Sequence, residues 1–497
     1  MNQYILAHDL GTSGDKATLF TIEGNLEKSV IASYPTRYQA ENHVEQEPED
    51  WYKAVCHSTR ELLDGIDPGA VVGVSFSGHM MGAVLLGEDG QVLRPALIWA
   101  DQRAVEQRDA ISAQIGDEEF YRITGTRNNP TTGLAKLLWV CENEHLRPAK
   151  LINCKDYIAY RLTGEIGTDY SDASGTGAFD LNQFDWSDEI LETMGISRDV
   201  MPELQASVDL VGTVTAEAAR ASGLLAGTPV FRGCGDGTAA TVGAGVTRKG
   251  ECYCCLGSSA WVACADDAPL LDKEMRTFNL AGIQKGSVFP IGTMQAVGVS
   301  YNWMRDELCQ REQLEAERDG KNIYDCINSQ IAQVPFGANG VIYLPYLLGE
   351  RSPWWDDRAK GAFLGLRKST THADMLRAVM EGISFVRFVS WVVVLKRLFG
   401  DRFWQICLDF RFRSLIIWMK HAPWERLLLQ ALVSAYLQTV VQLQNLFRPT
   451  AFLCHGQMHQ NFIKIKLGPL LKVTVVYRAY FEQMILHWAE KQEETTE

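Results

Sequence analysis

Apolar and polar residues along the first part of the chain fall into short runs broken by glycine. Tyr4 to Ala7 and Ala17 to Thr21 are apolar stretches flanking Asp9-Leu-Gly-Thr-Ser-Gly14, and Gly24-Asn25 supplies the next turn. That pattern predicts a β-hairpin with a glycine-bearing tip. Glu47-Pro-Glu-Asp-Trp51 places acidic residues and a proline where a helix begins, and Val71 to Phe76 reads as a β-branched strand leading into Ser77-Gly-His-Met80. Further on, Pro229 to Arg232 forms a short strand before Gly233-Cys-Gly-Asp236, an alanine-rich helical stretch follows, and Cys252 to Leu256 starts another strand. The alternation predicts an α/β fold. Because the later strand, loop and glycine turn repeat the opening hairpin, two related α/β halves are expected. Their boundary falls near Gly245 to Gly250, with a cleft between them. No low-complexity linker interrupts the chain, and no uncharged apolar run is long enough to span a bilayer.

Composition narrows the range of partners. The 497 residues are 46% hydrophobic and 22% charged, enough for more than one buried core, and the formal net charge is -14. An acidic chain without basic clusters argues against nucleic acid and against an anionic membrane surface. Small-molecule chemistry is the expectation. The first residues show no basic, apolar and small-residue leader pattern, and the twelve cysteines follow no regular framework, so a cytoplasmic location with reduced thiols is expected. Cys252, Cys254 and Cys255 read as a buried strand, with metal binding as the alternative; no second half with zinc-ligand spacing accompanies them.

Four groups of residues carry candidate chemistry. The turn from Asp9 to Gly14 brings backbone amides, the hydroxyls of Thr12 and Ser13, and nearby Lys16 to a hairpin tip, which suits phosphate; an unliganded hairpin turn is the alternative. Asp236 stands between glycines after a strand, where a carboxylate is placed either to take a proton from a hydroxyl or to cap the following helix. Gly257-Ser258-Ser259 forms a second anion-friendly turn. His79, Trp99, Asp101, Gln102 and Arg103 are a polar and aromatic set suited to a sugar. Core packing is the alternative for Trp99, and a surface ion pair for Arg103.

In this order the segments resemble the FGGY family of carbohydrate kinases, and most of all its xylulokinases. Besides Asp9 to Gly14, the matching stretches are Val44 to Trp51, Pro95 to Arg103, Lys155-Asp-Tyr with Arg161-Leu-Thr-Gly164, Thr168 to Gly175, Gly233 to Asp236 and Leu344 to Pro353. The resemblance implies two actin-like, ribonuclease-H-like domains flanking a catalytic cleft, the second domain being incomplete. An N-terminal, sugar-binding domain would span 1–247, and the first part of the nucleotide-binding domain 248–385. ATP and Mg2+ are the implied cofactors, a small ketose or polyol such as D-xylulose the implied substrate, and a homodimer the assembly it allows. Asp236 matches the general base; Asp9 matches the metal-binding carboxylate; Gly11, Thr12, Ser13, Lys16, Gly257, Ser258 and Ser259 match the nucleotide site. His79, Met80, Trp99, Asp101, Arg103 and Asp236 match the sugar site. One departure is Met81, which stands where xylulokinases carry a sugar-binding histidine; His79 is the candidate to compensate.

After Phe385 the family pattern stops. The tail 386–497 turns basic and aromatic, with Trp391, Trp404, Trp418 and Trp424 at no regular period. Reading its codons one base out of register allows Trp391-Val-Val-Val-Leu-Lys396 to spell the missing Gly-Gly-Gly-Ala-Lys turn of the family. The single codons of Trp and Met force Asp-Glu from Trp418-Met-Lys420 and Gly from Trp424-Glu425. A frame shift near Phe385 is therefore expected, with a chain of impaired activity as its consequence; a divergent tail that matches by codon freedom is the alternative to the shift, and a non-catalytic sugar-binding or regulatory protein of the same fold is the alternative function.

Overall fold

The computed structural model describes residues 3–384 except 40, 41, 353, 354 and 357. The aberrant tail 386–497, Phe385 and Pro353 lie outside the described residues.

The opening hairpin forms as its pattern predicts. Strands β1 (Tyr4–Leu10) and β2 (Gly14–Thr21) pair antiparallel, and β3 (Leu26–Ser33) follows through a turn in which Gly24 takes a φ of +86°. Helix α1 (Pro48–Leu62) begins directly after Glu47, with proline in its first turn. It crosses to β4 (Val71–Gly78), which runs parallel to β1. The chain then passes through α2 (Gly133–Asn143), α3 (Cys154–Thr163) and α4 (Tyr170–Ser174), and through β5 (Leu210–Thr213) and α5 (Ala216–Ser222). It returns to the sheet as β6 (Pro229–Phe231) and β7 (Cys234–Gly235), both parallel to β4. The result is a seven-stranded sheet of order β5-β6-β4-β1-β2-β3, with β7 also beside β4. Leu6, Leu10, Leu19, Val74 and Phe76 project from it into a core shared with Trp51 and Val55 of α1 and Ile158 and Leu162 of α3.

From α6 (Asp236–Gly243) the chain enters a second, antiparallel sheet of order β8-β9-β11-β10: β8 (Cys252–Leu256), β9 (Ala260–Cys264), β10 (Phe278–Ala281) and β11 (Val288–Met294). Among the described residues this sheet contains no parallel strand. Its edge strand β10 is bonded to the first half: Asn279 Nδ2 donates to the Gly125 carbonyl at 2.7 Å, the Ala281 amide to Ser174 Oγ at 3.1 Å, and Thr238 Oγ1 to the Ala281 carbonyl at 3.0 Å. A separate core gathers Tyr301, Met304, Ile327, Tyr343, Leu376 and Val379, beneath α7 (Gln310–Asp319), α8 (Ile323–Ile331) and a helix over 372–384.

The cysteine expectation needs one correction. Cys252 and Cys264 sit directly opposite each other on β8 and β9 and form a cross-strand disulfide, so not every thiol is reduced. Cys254 and Cys255 are half-buried strand residues, and Cys252, Cys254 and Cys255 do not assemble a metal cluster among the described residues. No described helix is long and apolar enough to cross a membrane.

Candidate active site

The hairpin tip is held by its carbonyls. Tyr34 Oη donates to the Gly11 carbonyl, Gln46 Nε2 and Thr36 Oγ1 to that of Thr12 at 2.7 and 3.2 Å, and the Tyr34 amide to that of Ser13 at 3.2 Å. The Gly11 amide closes the turn onto the Gly14 carbonyl at 3.0 Å. With these oxygens turned into the protein, the amides of Thr12 and Ser13 have no protein acceptor among the described residues. Such a pair of free N–H groups binds an anionic oxygen without a charged side chain. Glycine at position 14 is required by close approach, since a Cβ there would lie 2.8 Å from the Ala32 carbonyl. Trp99 is 41% exposed and donates from Nε1 to Thr12 Oγ1 at 2.9 Å, so it covers the turn rather than filling a core.

Asp9 lies at the C-terminal end of β1, with its side chain on the solvent-reachable face opposite Leu6, His8 and Leu10. It lines a cavity of about 300 Å³ with Ala7, Lys16, Thr18, Ser75 and Ser77. Register then brings Asp236 alongside. Asp9 and Cys234 both pair with Ser77 of β4, one on either side of it, and Asp236 follows Cys234 by two residues, beyond the strand end. Both carboxylates therefore leave the same edge of the sheet, at the C-terminal ends of parallel strands, where α/β folds gather their chemistry. Asp236 does not line the Asp9 cavity; the two share an edge, and their charges interact.

Asp236 opens α6 without capping it; its Oδ1 accepts from the Gly237 amide at 2.7 Å, and Gly235 occupies the cap position. Its side chain reaches solvent but is ringed by protein, and that desolvation raises its pKa from 3.8 to about 6. The Gly237 N–H pulls the other way, and the Asp9 charge adds to the rise. Met80 packs below: a Cβ on Gly235 would lie 2.5 Å from Met80 Cγ.

Behind Asp236 lies a buried charge cluster built from the Lys155-Asp and Thr168-to-Gly175 segments. Lys155 Nζ contacts Asp156, Asp169 and Asp172 at 2.6, 2.9 and 3.1 Å, with all four side chains fully buried. Burial opposes the Lys155 charge, but the three carboxylates outweigh it and hold its pKa well above normal; Asp172 is driven well up by burial. Asp169 accepts from Ser171 Oγ at 2.5 Å, and Ser171 Oγ accepts from the Gly235 amide at 2.8 Å. The cluster thereby fixes the backbone immediately before Asp236.

The expected sugar residues separate into two groups. His79 is buried edge-on against Trp51, with both ring nitrogens unpartnered among the described residues, and burial followed by the charge of Lys136 lowers its pKa to about 4. Met81 beside it adopts a left-handed φ of +59°, unusual for a residue with a side chain. Asp101 and Arg103 instead satisfy each other. Arg103 donates to Asp101 through Nε at 3.0 Å and Nη2 at 2.7 Å, the Val44 amide donates to Asp101 Oδ2 at 2.7 Å, and Arg103 also pairs with Glu45. Asp101 is buried and the Arg103 side chain is 4% exposed and stacked on Trp139, so they brace the wall rather than present polar atoms to a ligand. Gly257, Ser258 and Ser259 form the β8–β9 turn. The Ser258 carbonyl accepts from the Val297 amide at 3.0 Å, and a Cβ on Gly298 would come within 2.5 Å of the Gly257 carbonyl. Lys136 is the residue that sequence reasoning missed. It is fully buried on α2, donates to the Met81 and Ile98 carbonyls at 2.7 Å each, and burial lowers its pKa to about 7. Its signal was a single cation inside the apolar run Gly133-Leu-Ala-Lys-Leu-Leu-Trp139.

Residues 4–243 match the N-terminal domain of the FGGY family of carbohydrate kinases, and residues 252–389 match its C-terminal domain. The xylulose kinase of Bacillus subtilis (strain 168) is 33% identical over 390 residues, covering 77% of this chain and 76% of that protein. A gluconokinase of the same organism is 31% identical over 404 residues, covering 80% and 78%. Among solved structures, a ligand-bound xylulose kinase from Lactobacillus acidophilus superposes with a TM-score of 0.73 at 28% identity, covering 79% of each chain. With both domain matches in order and relatives aligned over three quarters of its length, the chain belongs to the FGGY family of carbohydrate kinases.

Proposed function

We propose that this chain transfers the γ-phosphate of ATP to a hydroxyl of a small ketose or polyol, with D-xylulose to D-xylulose 5-phosphate as the leading reaction. The observation that carries the proposal is the raised-pKa carboxylate of Asp236 beside Asp9 and a turn with two unengaged amides. In this reading Asp236 takes the proton of the acceptor hydroxyl as its oxygen bonds to the γ-phosphorus and ADP leaves. The Thr12 and Ser13 amides, with Gly11 and Lys16, hold phosphate oxygens, and the Gly257–Ser259 turn contributes from the other side of the cleft. Asp9 makes no side-chain hydrogen bond among the described residues, so its oxygens and the Thr12 hydroxyl fit the hard-oxygen preference of Mg2+. When bound there, the ion would offset charge on the β- and γ-phosphates. His79, Met80 and Trp99 belong to the sugar wall, with Asp101 and Arg103 behind it. The N-terminal domain 1–247 would carry the sugar and 248–385 part of the nucleotide site.

The test is ADP release with D-xylulose, D-gluconate, other pentuloses, hexuloses and polyols, using this chain and a version with the register restored after Phe385. D-xylulose should give the highest kcat/KM in the restored chain. No turnover with any acceptor in either chain sinks the kinase reading. Sugar binding by calorimetry without turnover instead supports a non-catalytic sugar-binding protein, a reading motivated by the end of the family match at residue 389.

A further inference from the structure

Far along the chain from these residues, the first turn of α7 meets the start of the 372–384 helix in a cluster with its own chemistry. Cys309 immediately precedes α7 and Glu312 lies three residues on, so both project from one face of a single turn. His372 arrives from the other helix. One ligand atom from each, sulfur, carboxylate oxygen and imidazole nitrogen, lies within 4.8 Å of the other two. Cys309 is fully buried and Glu312 is only 1% exposed.

The hydrogen bonds of His372 and Glu312 leave one ring nitrogen and one carboxylate oxygen without a hydrogen-bond donor among the described residues. His372 Nε2 donates to the Leu308 carbonyl at 2.9 Å, which puts the neutral ring's lone pair on Nδ1. That Nδ1 stands 3.6 Å from Glu312 Oε1. A lone pair facing a carboxylate oxygen is repulsive unless something positive lies between them. Glu312 Oε1 also accepts from Gln330 Nε2 at 2.5 Å, while its Oε2 is buried with no hydrogen-bond partner among the described residues. Leaving a carboxylate oxygen buried and unpaired is costly. An imidazole whose far nitrogen is anchored to a backbone carbonyl, beside a carboxylate anchored by an amide, is the outer-shell arrangement that orients metal ligands.

We propose that Cys309, Glu312 and His372 form a binding site for a borderline divalent transition metal, zinc by ligand chemistry, with solvent in the fourth position. Tetrahedral zinc with one sulfur, one nitrogen and one oxygen ligand places the donor atoms about 3.3–3.8 Å apart. The Nδ1–Oε1 pair already has that spacing, and the wider pairs need to close by about 1 Å, within reach of side-chain rotation. Mixed sulfur and nitrogen donors select zinc over magnesium or calcium. Binding exchanges the Cys309 S–H bond for a Zn–S bond and releases that proton to solvent, so uptake is coupled to pH. The His372 side chain is 39% exposed and gives the ion a route in. The site would clamp α7 to the 372–384 helix, independently of sugar and ATP.

Zinc titration of the EDTA-stripped, re-dialysed full chain against a chromophoric chelator tests this directly. One equivalent should bind, and His372→Gln and Cys309→Ser should each weaken that equivalent by more than the ~10–100-fold expected for the outer-shell change Gln330→Leu. Cobalt substitution should produce a thiolate-to-metal charge-transfer band that Cys309→Ser abolishes. Because His372 is partly exposed, His372→Gln is expected to keep the fold, and it decides the matter if Cys309→Ser does not. No zinc uptake at micromolar free metal, or equal uptake by wild type and His372→Gln, overturns the proposal and leaves a His372–Glu312 ion pair. These readouts need no turnover, so they succeed or fail separately from the kinase reading.

Discussion

Asp236 is where a single atom pair decides most. If its carboxylate is the base, kcat/KM should fall as pH drops below about 6 and level off above it, because the proton it must accept is then already in place. Asp236→Asn should lower kcat/KM by about 10²–10⁴-fold and remove that acid limb; a limb that persists in the variant assigns the titration elsewhere. Stability should move the opposite way. A carboxyl whose folded pKa exceeds its unfolded value favours the folded state at low pH, and that contribution is lost as pH rises from 3.8 through about 6. Urea melts should therefore show Asp236→Asn more stable than wild type at pH 8, with the difference shrinking toward pH 4. Asp236 was legible in the sequence because glycines bracket it after a strand. Asp101 and Arg103 were legible only as a polar pair, since spacing does not reveal that each already satisfies the other. Lys136 was hidden because a lysine in a helix ordinarily faces solvent, and only tertiary packing shows the two carbonyls waiting for it.

At the scale of elements, the β1–β2 turn and the buried lysine cluster are the parts that hold the site still. Gly14→Ala would push a methyl into the β3 backbone; about 1–3 kcal/mol of stability should be lost and the KM for ATP should rise, seen in melts and initial rates together. Lys155→Met would strand three buried carboxylates, and urea unfolding should register a loss of about 3–5 kcal/mol. The hairpin, α1 and the strands at 71–78 and 252–256 were readable from periodicity and turn residues, because each is a local pattern. The Cys252–Cys264 bridge was not: it depends on the register between β8 and β9, and the sequence shows the cysteines without their pairing.

For the whole molecule, the first half of the described residues has parallel strands, crossover helices and two hydrophobic cores, whereas the second has antiparallel sheets and a helical layer. Two α/β halves were visible in the repeated strand and glycine turn, but their contact was not, because a loop and two helices meet one edge strand far off in sequence. If the register shifts after Phe385, the restored chain should turn over faster and elute with less aggregate in size-exclusion chromatography than the present one. The edge strand β10 has a consequence of its own. It is laddered to β11 on one side and tied to Gly125, Ser174 and Thr238 on the other, which makes it a seam stitched along both borders. Any widening of the cleft must then be absorbed farther out. Deuterium uptake at Asn279 and Ala281 should accordingly stay slow and indifferent to added sugar, while breathing concentrates around the Gly257–Ser259 tip.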